Sequence, residues 1–139
     1  MKNYGGKSSF FGPIQTLKCP DDNSLIKEQL NSEGNNQVLI VDAEGVNTVA
    51  LLGDLIADAG MKNNWSGIVV NGYIRDVDII KNLDIGVQAL GTYPIKSEKR
   101  GLGELGIEIC FGGLTFRPGQ YIYADNNGLL LSEIELNSS

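Results

Sequence analysis

At 139 residues, with 42% hydrophobic and 20% charged side chains, the chain has the composition of one globular α/β-sized domain with a real core. It has no histidine and only two cysteines, Cys19 and Cys110, which excludes Ser-His-Asp and Cys-His catalysis, histidine-based zinc sites and a structural zinc cluster. A formal net charge of -6 argues against sequence-independent nucleic-acid binding, which needs a basic face, and no apolar run is long enough to span a membrane.

Any metal must then be held mainly by carboxylates, carbonyls and water, which points to magnesium, manganese or calcium. The opening MKNYGGKSSFFG lacks the apolar core of a signal peptide, and two thiols without an export signal read as reduced and buried, so a cytoplasmic location is expected. The 18 glycines cluster after residue 50 and predict tight turns and backbone packed close to its neighbours.

Residues 1–12 are rich in Gly and Ser and predict a loose lead-in. Ile14 to Cys19 alternates and predicts a first strand. Pro20-Asp21-Asp22-Asn23 is a turn, with Asn23 or Ser24 capping a helix from Leu25 to about Leu30. Val38 to Val41 is continuously apolar and β-branched, a strand covered on both faces and ending at Asp42. Ala43 to Leu52 leads into a helix from Leu55 to about Asn64, a turn at Trp65-Ser66-Gly67, and a buried strand Ile68-Val69-Val70 that Asn71-Gly72 breaks. This alternation of strand and helix is an α/β pattern. A short helix, Val77 to Asn82, and a strand, Ile85 to Leu90, follow. Lys96 to Gly106 is a charged, Gly-rich loop. Beyond it short β segments run from Ile107 to Leu131, punctuated by Gly112-Gly113, Pro118-Gly119 and Asp125-Asn126-Asn127-Gly128.

The stretch GDLIADAGMKNNWSGIVVNGYIRD, Gly53 to Asp76, carries the chemistry. Roughly eleven helical residues advance about 16 Å, and five or six extended residues return about 16–20 Å. The start of the helix and the far end of the strand should therefore meet. That would gather the backbone N–H groups around Gly53, the carboxylates of Asp54 and Asp76, and the guanidinium of Arg75. A helix N-terminus favours an anion, Arg binds carboxylates bidentately, and Asp holds hard cations. The same residues also read as an N-cap and a surface ion pair.

Other signals are weaker. Gly101, Gly103 and Gly106 spell GxGxxG without a strand directly before them and read as a flexible loop rather than a dinucleotide fingerprint. DNNG at residues 125–128 reads as a hairpin turn rather than a calcium loop. Asp42 and Glu44 follow a strand, where ligands often bind, but solvated loop acids are the default. Trp65 is expected as a packing anchor. Lys96, Lys99 and Arg100 are expected in a solvated loop, with closure over an anion as the alternative.

Taken together, FFGPIQTLKC, VLIVDAEG, LLGDLIADAG, GIVVNGYIRDVDII, LDIGVQALGTYP, FGGLTFRPGQ and YADNNGLLLS resemble the RraA-like family, from Gly5-Gly6 to about Ser132. That family joins regulators of ribonuclease E activity and 4-hydroxy-4-methyl-2-oxoglutarate aldolases. Its aldolase signature is an Asp, twenty residues, then Arg-Asp; here Asp54 precedes residues 55–74 and Arg75-Asp76. The resemblance implies a swivelling β/β/α-type α/β domain with a β-rich C-terminal part, spanning residues 1–139, and a homotrimer or hexamer with sites between subunits. It implies that the turn Gly53, Asp54, Leu55 and Ile56 binds a pyruvyl carboxylate, and that Arg75 polarises substrate oxygens. Asp76 would ligate a divalent cation, Mg²⁺ or Mn²⁺, and Asp54 would orient water. It implies a metal-dependent lyase that makes two pyruvates through a pyruvate enolate, with secondary oxaloacetate decarboxylation. The alternative is a regulator that binds and inhibits ribonuclease E, a role in which family members can lack the metal-binding Asp. The chain appears without the family's usual N-terminal helix, and Glu133 and Glu135 match no known extra ligand from a neighbouring subunit. An older family label, demethylmenaquinone methyltransferase, has no support in the motifs.

Overall fold

The computed structural model describes residues 1–19, 21–97, 101 and 103–136. In chain order the elements are β1 (Lys2–Asn3), β2 (Phe10–Lys18), α1 (Ser24–Leu30), β3 (Val38–Asp42), β4 (Ala50–Leu52), α2 (Asp54–Lys62), β5 (Gly67–Ile74), α3 (Val77–Ile80) and β6 (Gly86–Thr92). They continue as β7 (Glu104–Leu105), β8 (Ile109–Phe111), β9 (Leu114–Phe116), β10 (Tyr121–Asp125) and β11 (Gly128–Ser132). Neighbouring strands run β1-β6-β5-β3-β2-β10-β11, and β8 and β9 form a separate hairpin. The central pairings β2–β3, β3–β5 and β5–β6 are parallel, whereas the flanks are antiparallel. The result is a curled half-barrel of mixed sheet with few helices.

The sheet's two faces carry two apolar clusters, because strand side chains alternate. Leu39 and Val41 of β3, Ile68 and Val70 of β5, and Val87 and Ala89 of β6 lie with Ile26, Leu30, Ala57 and Ile80 of the helices. Ile14, Val38, Ile40 and Val69 lie with Ile109, Phe116, Ile122 and Ala124 from the hairpin and β10. Every residue of β3 is buried, as its unbroken apolar run requires. Trp65 is a packing anchor, 4% exposed, with its indole N–H donated to the Ser32 carbonyl at 3.0 Å. DNNG closes a hairpin: Asp125 pairs with Gly128, and the Asn127 N–H donates to Asp125 Oδ1 at 2.7 Å.

Four expectations are corrected. The lead-in is not loose: β1 pairs with β6, the Gly6 N–H donates to the Leu83 carbonyl, and β2 begins at Phe10. Gly5 permits this contact, since a Cβ there would stand 2.2 Å from the Ile85 carbonyl oxygen. Asn71-Gly72 does not end the strand. β5 runs on to Ile74 with a register shift against β6 between Val70 and Tyr73, so the pair marks an irregularity within the strand. A Cβ at Gly72 would lie 2.8 Å from Ala43 Cβ, which explains the glycine. β4, three buried residues beside Tyr73 and Ile74, is too short to show a period. Cys19 is buried as expected, but Cys110 is exposed. Within the Gly-rich loop, Glu104–Leu105 forms a short strand on β2, while Lys99 and Arg100 lie outside the described residues. Among the described residues no helix is long and apolar enough to cross a membrane.

Candidate functional site

β4 and β5 end side by side, and this brings the two halves of the Gly53–Asp76 stretch together. The Arg75 N–H donates to the Leu52 carbonyl at 2.9 Å, so the residue after β5 is tied to the last residue of β4, just ahead of the Gly53 cap of α2. Continuation of β5 through Asn71-Gly72 supplies the reach, and the chain returns to the level where the helix began.

Gly53 is the N-cap of α2, and Asp76 is the N-cap of α3 in a left-handed conformation, φ 61° and ψ 34°. Asp is one of the few residues besides Gly found there, and such backbone clusters at functional sites. Asp76 Oδ2 accepts from Arg75 Nη1 at 2.7 Å and from the Asp54 backbone N–H at 3.2 Å. The carboxylate therefore caps α2 from across the turn, favoured by the positive end of that helix. Asp76 Oδ1 accepts no hydrogen bond among the described residues. The Arg75 and Asp76 side chains are 25% and 28% exposed, an ion pair worth about 0–1 kcal/mol in so wet a setting.

Gly53 is what lets the pair lie on the helix start. A Cβ there would stand 2.7 Å from Arg75 Nη2 and 2.9 Å from Asp76 Oδ2. The structure thus gathers Gly53, Asp54, Arg75 and Asp76. The Leu55 side chain points away, 78% exposed, and Ile56 packs against the cluster under the helices. These two residues can serve the site through their backbone N–H groups, which donate to no acceptor among the described residues, as is usual for N–H groups in the first turn of a helix.

A cleft of about 410 Å³ opens beside the pair, lined by Arg75, Asp76, Val77 and Ile79 with Thr92, Tyr93 and Pro94. Sequence reasoning passed over Val77, Ile79 and Tyr93 as site residues. The available signal was the position of GTYP just past a parallel strand, at the carboxyl end of the sheet where α/β folds bind ligands. A larger concavity of about 600 Å³, over Phe11 and Tyr123, holds none of the predicted residues. Asp42 and Glu44 are committed elsewhere. Asp42 Oδ1 accepts from the Glu44 N–H and from Asn71 Nδ2, and Glu44 pairs with Lys18 at 3.3 Å.

The carboxylate that the structure places at this corner is that of Asp76, which Asp54 meets through its backbone N–H. Among the described residues no cluster of three or more His, Cys, Asp or Glu could hold a metal. That donor suits a hard cation that keeps most of its water and takes one or two carboxylates, and does not suit zinc.

A curled, mixed α/β sheet with an Arg-Asp pair folded onto a helix N-terminus defines the class as RraA-fold domains. The chain belongs to the RraA-like family, described as Aldolase/RraA, which its residues 1–131 match. A Pseudomonas aeruginosa protein named as a candidate 4-hydroxy-4-methyl-2-oxoglutarate aldolase is 55% identical over 132 residues, covering 95% of this chain and 82% of that protein. The solved RNA-processing inhibitor RraA from a Thermus species superposes with a TM-score of 0.96 at 37% identity, over 99% of this chain and 84% of that one. A Geobacillus kaustophilus structure named as a 2-dimethylmenaquinone methyltransferase gives 0.95 at 41% identity, over 97% and 84%.

Proposed function

We propose that this protein is a divalent-metal-dependent aldolase that cleaves 4-hydroxy-4-methyl-2-oxoglutarate to two pyruvates. The observation that carries the reading is the meeting of Arg75, Asp76 and the Gly53-Asp54 start of α2 at one corner. The aldolase name borne by relatives at this level of identity supports it.

In this reading the free N–H groups of Leu55 and Ile56 hold the pyruvyl carboxylate, aided by the positive end of α2. Arg75 donates to the 2-oxo oxygen and to the carboxylate, and its fixed charge stabilises the enolate as the C3–C4 bond breaks. Asp76, whose Oδ1 is free of other partners among the described residues, would hold Mg²⁺ or Mn²⁺, and Asp54 would orient water beside it. When bound, the ion supplies Lewis-acid stabilisation of the same developing charge. The electron pair of the broken bond enters the enolate, C4 becomes the carbonyl of the first pyruvate, and the 4-hydroxyl proton passes to a water held by Asp54. Protonation at C3 gives the second pyruvate. Oxaloacetate decarboxylation leaves the same enolate and needs no base for a hydroxyl, so it follows as a secondary activity.

Exposed Leu55 and Ile79, 78% and 51%, flank the corner and support a homotrimer or hexamer with the site near a subunit contact. Likeness to the RNA-processing inhibitor and the net charge of -6 support a second reading, a regulator that binds ribonuclease E through a basic segment. Retention of Asp76 favours the enzyme.

Pyruvate release in a coupled assay, with and without Mg²⁺, tests the proposal. Asp76→Ala is expected to abolish metal-dependent turnover while the protein stays folded, since a partly exposed loop carboxylate costs little to remove. Folded wild type with no metal-dependent turnover would replace the enzyme by the regulator.

A further inference from the structure

The cleft beside Arg75 and Asp76 combines two unlike linings, that ion pair and an apolar set made of Val77 and Ile79 from α3 with Tyr93 and Pro94 from the segment after β6. A 2-oxo acid held by Arg75 at its carboxylate and 2-oxo oxygen extends away from the guanidinium. Its C4 lies two carbon–carbon bonds from the 2-oxo carbon, so C4 and its substituents meet whatever flanks Arg75.

Tyr93 is fixed at that position. Its backbone N–H donates to the Ile74 carbonyl at 2.9 Å, one residue before Arg75. Just upstream, Thr92 is in register with Ile74, and the Tyr73 ring covers Gly91, where a Cβ would stand 2.7 Å from Tyr73 Cε2. A side chain on the residue directly after paired strands, tied to them by its backbone N–H, gives a more sharply placed wall than one on a free loop. Asp78, which also lines the cleft, has its side chain 96% exposed and lies 3.9 Å from Lys81, so it faces water rather than the apolar set.

We propose that Tyr93 is a specificity-determining residue whose ring, with Ile79, receives the alkyl substituent on C4 of a 4-hydroxy-2-oxo acid. The proposal rests on the aldolase reading and adds its substrate preference: a methyl at C4 is favoured over hydrogen. One methyl against an apolar wall is worth roughly 10- to 200-fold in kcat/KM, and a wall open on one side belongs at the low end.

The test compares kcat/KM for 4-hydroxy-4-methyl-2-oxoglutarate and 4-hydroxy-2-oxoglutarate, which differ by that methyl, in wild type, Tyr93→Phe, Tyr93→Ala and Ile79→Ala with Mg²⁺. Wild type is expected to prefer the methylated substrate about tenfold. Tyr93→Phe should keep the preference, because the ring and not the hydroxyl makes the contact. Tyr93→Ala should cut it to less than about threefold, mainly by raising KM for the methylated substrate. Ile79→Ala, at a half-exposed position that tolerates truncation, should lower it in the same direction and keeps the test open if Tyr93→Ala fails to fold. Turnover of both substrates without a methyl preference, or a preference surviving both alanine variants, overturns this inference alone. Turnover of neither substrate overturns the aldolase reading and this inference with it.

Discussion

Most glycines before residue 92 and most after residue 100 serve different ends, with Gly45 (φ 69°, nearest atom 3.9 Å) and Gly103 (2.8 Å from the Lys18 carbonyl oxygen) as exceptions. Gly12, Gly53, Gly67, Gly72, Gly86 and Gly91 lie in ordinary backbone conformations, but a Cβ on any of them would meet another atom at 2.0–2.8 Å. Gly101, Gly112, Gly113, Gly119 and Gly128 all have positive φ, and nothing lies within 4 Å of a Cβ there. In the parallel half, glycine is a gap into which a neighbour fits: Phe10 against Gly67 and Gly86, Tyr73 against Gly91, and Arg75 and Asp76 against Gly53. In the antiparallel half, glycine is a hinge angle that lets short strands turn back. The first kind specifies packing and the site, and the second specifies only the path of the chain.

The sharpest way to break this comparison is Gly53→Ala. The atoms a methyl would strike are the ends of the Arg75 and Asp76 side chains, which can swing aside at little cost in stability. The proposed site would lose its arrangement, and displacement of catalytic groups by about 1 Å costs on the order of 100-fold in rate. Turnover should fall about that far while the thermal midpoint barely moves. Comparable losses in stability and activity would show that Gly53 belongs with the packing glycines and not with the site.

Gly86→Ala should do the reverse. The new methyl would stand 2.0 Å from Cδ1 of Phe10, whose ring is also pressed by Gly67 from the adjacent strand. Phe10 is 5% exposed and packed within the second apolar cluster, so overpacking should cost about 1–3 kcal/mol in urea unfolding. Phe10→Leu in the same chain should recover part of the loss, a non-additivity expected only of residues in contact. Gly112→Ala, in the hairpin, should cost about 1 kcal/mol, the price of placing a Cβ in the left-handed region at φ 59°. Its turnover should match wild type. A loss at Gly112 larger than at Gly86 would invert the comparison.

The parallel half was the more legible from sequence because its signals are local. The length and β-branching of the run Val38 to Val41 favour a strand buried on both faces, as β3 is, and the helix-out, strand-back arithmetic brings Gly53 near Arg75. What it missed is non-local. Asn71-Gly72 carries a turn signature, yet sheet neighbours on both sides hold β5 extended, and the close approach of Ala43 explains the glycine. β1 depends on a distant edge of β6, and nothing in Lys2-Asn3 announces it. The left-handed backbone of Asp76 and the capping of Asp54 by its carboxylate are equally invisible in a string of residues. The apolar wall around Tyr93 joins two elements that are separate in sequence.

The two thiols carry the comparison into chemistry, with the smallest effect at neutral pH. Cys19 directly follows β2 in the parallel half and is fully buried, its pKa pushed up to about 12 by burial first and then by the charges of Asp22, Asp42 and Asp21. Cys110, in the antiparallel hairpin, is exposed. Thiolate is the nucleophile, so at pH 8 a thiol reagent should modify Cys110 quickly and Cys19 only as the protein unfolds. The same burial links stability to alkaline pH. In the unfolded chain Cys19 ionises near the ordinary thiol value of 9.0, while in the folded chain it stays protonated until about 12. Between those values the native state binds more protons than the unfolded state, so the contribution of Cys19 to stability falls as pH rises, by about 1.4 kcal/mol per pH unit. Below pH 9 it is fully present. Cys19→Ala should therefore flatten the alkaline limb of the stability profile, whereas Cys110→Ala should leave that limb unchanged. Rapid modification of two thiols per folded chain, or equal effects of the two variants on the alkaline limb, would show that the β2 end opens to water and is no more closed than the hairpin.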